Sequence, residues 1–125
     1  MGIGISVEIK EDYICVRSSG RFSPGAYEQT VRTVVDAVLI YDQPRVLIDA
    51  TQVLGTIPNS DLIRGPAYLV AEVQNRAPGR IEKLAFVCDE SQADPEGRGE
   101  YIANVGGVPT HVFTDLADAI MWLGL

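Results

Sequence analysis

Residues 3–9 alternate between apolar and polar, with Ile3, Ile5, Val7 and Ile9 in phase. A period of two predicts a strand half-buried against a core. "KEDY" reads as a turn and "YICVRS" as a second strand, so the two form a hairpin. The period then changes. From Ser23 to about Tyr41, Tyr27, Val31, Val34, Val35, Val38 and Leu39 fall on one stripe at helical spacing. Ser23 is placed to cap that helix and Pro24 suits its first position, where a missing N–H costs nothing.

Two segments carry no alternation. "QPRVLIDA" and "KLAFVCD" are continuously apolar, as strands covered on both faces are. Between them a helix is expected within 61–76, turning Leu62, Pro66, Leu69, Val70 and Val73 to the core. Gly65 and Pro66 predict that it starts at Pro66 or kinks there, because an internal proline removes a hydrogen bond. A third helix, weakened by Gly97 and Gly99, is expected over 95–104, capped by Asp94 with Pro95 first and stopped by Gly106 and Gly107. "VPTHVF" is the last strand. Thr114 is expected to cap a final helix with Leu116, Ala119, Ile120 and Leu123 inward and Trp122 close to that stripe.

The predicted order is ββαβαβαβα. Strands alternating with helices imply an α/β fold with a mostly parallel sheet and helices packed on it. The chain has 125 residues, no repeat and no linker, so one domain over 1–125 is expected.

Composition narrows the function classes. Ten Lys and Arg against seventeen Asp and Glu give a net charge of −7, with no basic stripe to neutralise phosphates. Nucleic acid is therefore not an expected partner, and an anionic membrane surface would repel the chain. No run approaches the ~20 apolar residues of a membrane span, and "MGIGISVEIK" lacks the features of a signal peptide. Gly2 and Ser6 fit an N-myristoylation pattern, but the alternation of the same residues favours a strand. Two cysteines in an acidic chain point to a reducing compartment, and a cytoplasmic location is expected. Cys15 and Cys88 fall on strands 2 and 4. With strand 3 between them they sit roughly 10 Å apart, too far for a disulfide. No cofactor and no metal is expected: no cysteine spacing or glycine loop has the required form.

The carboxyl ends of parallel strands are where ligands gather in open α/β sheets. Asp49 and Thr51 end one apolar strand, and Asp89, Glu90 and Ser91 end the next. Their plainest role is to tie down the following loops by accepting backbone N–H groups. A second possibility is that the two aspartates share a low-dielectric cleft, which raises one pKa and permits acid–base chemistry. His111, the single histidine, is expected on the core or the sheet face, away from any nucleophile.

The hairpin, the long first helix, "VLIDAT", "IEKLAFVCDE" and the ending "VPTHVFTDLADAIMWL" together resemble the SpoIIAA-like branch of the STAS superfamily, whose members are often labelled STAS/Sec14 domain proteins. The resemblance spans nearly the whole chain. It implies a superhelix of β-α units with strands in sequential order and an antiparallel first edge strand. It also implies an anti-sigma factor antagonist type of activity: binding of a kinase-like partner, switched by phosphorylation of one serine in an Asp-Ser-Ser-Gly-like turn. Asp49-Ala50-Thr51 matches the strand ending that precedes this turn. The turn itself differs: Ile57-Pro58-Asn59-Ser60-Asp61 stands in its place, and Ser60 is the serine nearest the switch position. As a plain structural residue Ser60 would be a helix N-cap, in competition with Asn59 and Asp61.

The expected function is a non-enzymatic regulatory or protein-interaction module that docks through the 51–61 loop and the second helix. Its binding residues would be Asp49, Thr51, Ser60, Asp61, Arg64, Asp89 and Ser91, with Ser60 as phosphosite and no catalytic residue. The alternative is a carrier or sensor of a small apolar ligand or lipid, as the Sec14 label implies, with a cavity lined by Leu62, Leu69 and Val73. A small enzyme using the carboxyl-edge acids is third. Homodimerisation through the N-terminal edge strand is a further expectation.

Overall fold

The computed structural model describes residues 4–124; Gly2 and the lipidation pattern that needs it lie outside them. Five strands form one sheet: β1 (Gly4–Ile9), β2 (Ile14–Arg21), β3 (Arg45–Leu54), β4 (Lys83–Val87) and β5 (Thr110–Phe113). They lie in sequential order, with β1 antiparallel to β2 and every other pair parallel. The helices are α1 (Pro24–Tyr41), α2 (Asn59–Arg76), α3 (Arg98–Val105) and α4 (Leu116–Trp122), with a short 3-10 turn at Glu90–Gln92. The α/β order and the antiparallel first edge are those expected from the periodicity.

The sheet is covered unequally. On one face Ile14, Val16, Val46, Ile48 and Leu84 pack against Val31, Val34, Val35 and Val38 of α1 and Leu69 and Val73 of α2. On the other, Cys15, Leu47, Ala85 and Val87 meet Ala119 and Leu123 of α4. The unbroken apolar runs of β3 and β4 are thus explained: consecutive residues enter opposite cores. At the edge, β1 carries the predicted alternation but little cover. Ile5 packs on the larger core, whereas Val7 and Ile9 are 42% and 44% exposed.

Several boundaries differ from the sequence reading, each for a local reason. α1 matches it, with Ser23 Oγ accepting the Ala26 N–H at 3.1 Å. α2 is a single helix that begins at Asn59 and carries Pro66 inside it. Its N-cap residue is Pro58, which offers no side-chain cap, so Ser60 is not the cap. α3 begins at Arg98 and not at Pro95. Asp94 instead accepts N–H groups from Glu96 and Arg98 and pairs with the Arg98 guanidinium, which holds residues 94–97 as a turn, and Gly97, at φ 64°, leads into the helix. α4 is capped by Asp115, whose carboxylate accepts the Asp118 N–H, and not by Thr114. Leu116, expected inward, sits in the first turn and is 39% exposed. Among the described residues no helix is long and apolar enough to cross a membrane.

Candidate functional site

The strand expected to end at Ala50 runs on to Leu54, and Asp49 marks the reason. Arg17 pairs with Asp49 and Ser19 with Gln52, so β3 holds one more residue than β2 across this step. That is a β-bulge. Asp49 Oδ1 accepts the Thr51 N–H at 3.0 Å and the Thr51 hydroxyl at 2.6 Å. Its other oxygen accepts Arg17 Nε at 3.2 Å. Burial pushes the Asp49 carboxyl up, but the Thr51 hydroxyl and amide and the Arg17 guanidinium outweigh it and hold the group below the usual carboxylate range. The bulge also changes the facing of the chain: Ala50 and Val53, three residues apart, both turn to the α1/α2 side.

Asp89 repeats the motif at the end of β4. It accepts the N–H and hydroxyl of Ser91, which holds its carboxyl low. Gln92, in the same 3-10 turn, donates to the carbonyls of Val53 (3.1 Å) and Gly55 (2.8 Å) and so ties this loop to the end of β3. Asp89 has the expected loop-tying role, whereas Asp49 accepts its donors inside the sheet, at the bulge of β3. The expectation of a shared cleft with one raised carboxyl pKa is not met: both groups are shifted down, each by its own partners.

The predicted site residues divide between the two faces. Asp49 and Arg17 follow Leu47 and Cys15 by two residues on the α4 side. Asp61 and Arg64 belong to the first turns of α2 on the opposite side. Ser60 lies there too, exposed in the first turn. His111 is on the α4 face of β5, half-exposed, its ring tilted against Phe113 and Trp122 with centroids 4.5 and 5.6 Å away, and Nδ1 lies 3.6 Å from Glu100. Cys15 and Cys88 are free and buried, Cys15 in the α4-side core and Cys88 on the α1/α2 side of the sheet end.

An apolar cavity was only partly foreseen. A cavity of about 360 Å³, partly open to solvent, lies between α1, α2 and α3 and the carboxyl half of the sheet. Ile48, Phe86, Leu62 and Leu69 wall it, with Ile57 and Ala93 among the loop residues on its border. Leu62 and Leu69 were expected here; Val73, one turn further on, is 1% exposed within the core. Tyr27 lies beside Gly65, and burial raises its hydroxyl pKa above the ordinary range. Cys88 also lines the cavity, and burial, aided by Asp89, pushes its thiol up to about 11.

Gly99 in α3 and Gly106 at its C-cap let the wall close. A Cβ on Gly99 would fall 2.9 Å from Pro66 Cγ, and one on Gly106 would fall 2.5 Å from a Val70 methyl. Two glycines seven residues apart, facing a proline-bearing helix, are the sequence signal that could have predicted this close approach.

No protein-family sequence profile matches the chain, and no curated protein sequence matches it. Solved structures do. The chain is similar to an uncharacterised protein from the DUF3478 family with a SpoIIAA-like fold from Shewanella loihica PV-4 (22% identity, TM-score 0.57, 98% of this chain and 94% of that one). It is similar to an anti-sigma factor antagonist from Mycobacterium paratuberculosis (18%, TM-score 0.63, 98% and 94%). It is also similar to the anti-sigma factor antagonist SpoIIAA in its unphosphorylated form (12%, TM-score 0.55, 98% and 100%). The chain has the SpoIIAA-like fold that its hairpin, first helix and tail resemble in sequence.

Proposed function

We propose that the chain is a non-enzymatic regulatory module that docks a partner protein through the 51–61 loop and the first turns of α2, with Ser60 as its modifiable residue. The observation that carries this reading is the state of Ser60. It is exposed, its hydroxyl serves no cap, and Arg64 follows four residues later on the same helix. A phosphate there meets free N–H groups and the positive end of the helix dipole. Arg64, one turn on, is spaced to pair with it. Thr51 is the poorer candidate because its hydroxyl already donates to Asp49. The partner is of the kind that the names of the similar anti-sigma factor antagonists imply, and the compartment is the cytoplasm.

The test begins with the denaturing mass of the protein isolated from its own cells. A phosphate mapping to Ser60 is expected. Immobilised wild-type, Ser60→Ala and Ser60→Glu chains are then compared for a protein retained from extract. Retention by the first two and loss by the third supports the switch; equal retention by all three, with no phosphate at Ser60, rejects it.

A second reading, a carrier or sensor of a small apolar molecule, is favoured by the cavity. Its volume falls in the range of small-molecule sites, and its walls are mainly apolar. The two readings are compatible, since the docking segment of α2 is one wall of the cavity. Self-pairing through the open edge of β1, with Val7 and Ile9 half-exposed, belongs to the same proposal.

A further inference from the structure

We infer that the cavity takes an uncharged apolar molecule carrying one hydrogen-bond donor, an alcohol or a phenol. This rests on the second reading above and supplies its ligand class. The volume, about 360 Å³, equals the space of roughly a dozen waters. That suits a molecule with a bicyclic or short-chain body.

The polar groups on the wall set the chemistry. Thr30 donates its hydroxyl hydrogen to the Ala26 carbonyl at 3.0 Å. In the 2.9 Å Ser18–Thr30 pair, Ser18 must therefore be the donor, and its oxygen is left with lone pairs alone. Thr110 spends its hydrogen on the Val108 carbonyl at 2.9 Å, with the same result. The Leu62 carbonyl loses its helical donor because the residue four positions on is Pro66. Ser18, Thr110 and Leu62 all line the cavity, and all three offer acceptors. The Cys88 thiol is a weak donor, and the Tyr27 hydroxyl can act either way. A ligand that brings its own donor finds acceptors that have no hydrogen left to give; one that brings only acceptors is left with the Tyr27 hydroxyl, the weak Cys88 donor and Arg64 at the rim.

Charge decides against an acid. Glu28, Asp61, Asp94 and Glu100 border the cavity, against Arg64 as the one lining cation. A carboxylate ligand would enter a net negative rim and lose its hydration among apolar walls.

The probe is N-phenylnaphthylamine, whose fluorescence rises in apolar sites, with the full chain at neutral pH. Saturable uptake at one dye per chain is expected. Naphthol should displace it at an about threefold to tenfold lower concentration than its methyl ether, the worth of one net hydrogen bond, with naphthoate weakest. Ala50→Phe and Ala93→Phe, filling the cavity from the sheet and from the loop, should each abolish uptake while circular dichroism stays native. Methyl-resolved NMR of the wild type gives a readout independent of the variants: naphthol should shift Ile48, Leu62 and Leu69 and leave Ala119 and Leu123 unmoved. No saturable uptake, or naphthol shifts confined to the α4 side, overturns the cavity as a site and the carrier reading with it. Uptake in the cavity with ether or naphthoate displacing as well as naphthol leaves that reading standing and overturns the ligand class.

Discussion

Asp49 accepts both the N–H and the hydroxyl of Thr51 at the step where β3 carries one residue more than β2. The same carboxylate takes Arg17 Nε, so three donors from two strands converge on one side chain that is 5% exposed. Removing it in Asp49→Ala leaves the Thr51 amide and the Arg17 guanidinium short of an acceptor. The expected cost is about 1–3 kcal/mol, read as a lower denaturant midpoint at unchanged slope. An unaltered midpoint would mean that the bulge holds without its carboxylate.

The same residue gives the chain an acid limb. Asp49 has a folded-state pKa below its unfolded value of about 3.9, so the unfolded chain binds its proton first as pH falls. Its stability contribution is present above about pH 4 and is lost as pH drops through the lower folded value. Asp89 is shifted the same way, but in a water-exposed setting that weakens the effect, whereas Asp94, held low first by the Arg98 guanidinium, has a largely covered side chain and adds to the limb. Urea titrations from about pH 6 downward should show a shallower loss in Asp49→Asn than in the wild type. Parallel curves would assign the acid limb to other groups.

The α2–α3 contact can be tested at Gly106. A Cβ there would sit 2.5 and 2.6 Å from the two Val70 methyls, so Gly106→Ala must push the helices apart. A loss of about 1–3 kcal/mol is expected, most of it recovered in the Gly106→Ala/Val70→Ala double variant. Gly25, in the first turn of α1 with nothing within 4 Å of its would-be Cβ, is the control. Gly25→Ala should stabilise by about 0.5–1 kcal/mol. Thermal melts of the four chains separate packing from propensity.

Much of the architecture was legible because two periods write it. Alternation in 3–9 and the Tyr27–Leu39 stripe each specify one face, and the unbroken runs of β3 and β4 specify two. What was hidden depends on single hydrogen bonds. Asp49-Ala50-Thr51 reads as a strand ending because an aspartate usually stops one; the bulge keeps the strand alive by giving that aspartate an internal partner. The same extra residue turns Val53 to the cavity side, which no fixed period of two predicts. Asp94 and Pro95 look like a cap and a first helical residue, yet the Arg98 guanidinium claims Asp94 from four residues on. The grouping of Asp49 with Ser60 followed from nearness in sequence, whereas the sheet separates them.

Capping offers a prediction that distinguishes helix starts similar in sequence. Ser23 and Asp115 each accept an N–H three residues on. Ser23→Ala and Asp115→Ala should each cost ~1 kcal/mol. Ser60 accepts no cap bond in α2, so Ser60→Ala should stay within about 0.5 kcal/mol of wild type. A Ser60→Ala loss equal to the other two would make Ser60 a cap after all and remove the reason for reading its hydroxyl as available for modification.

Cys88 reports on both the fold and the cavity. Burial and Asp89 raise its thiol to about 11, so near pH 8 only about one thiol in a thousand is ionised. Native-state alkylation should therefore be slow and climb about tenfold per pH unit. The linkage runs opposite to that of Asp49. A folded pKa above the unfolded value of about 8.5 contributes stability that is complete below that pH and lost as pH rises toward the folded value. Cys88→Ala should flatten the alkaline limb in part, since Cys15 and Tyr27 are also shifted up by burial. Cys15 sits on the α4 side and Cys88 on the cavity wall, so the pair forms an internal control. Naphthol should slow alkylation of Cys88 and leave Cys15 unchanged. Equal slowing at both would indicate that the compound tightens the whole fold and does not fill the cavity, and no slowing at either would leave Cys88 beyond the reach of anything the cavity holds.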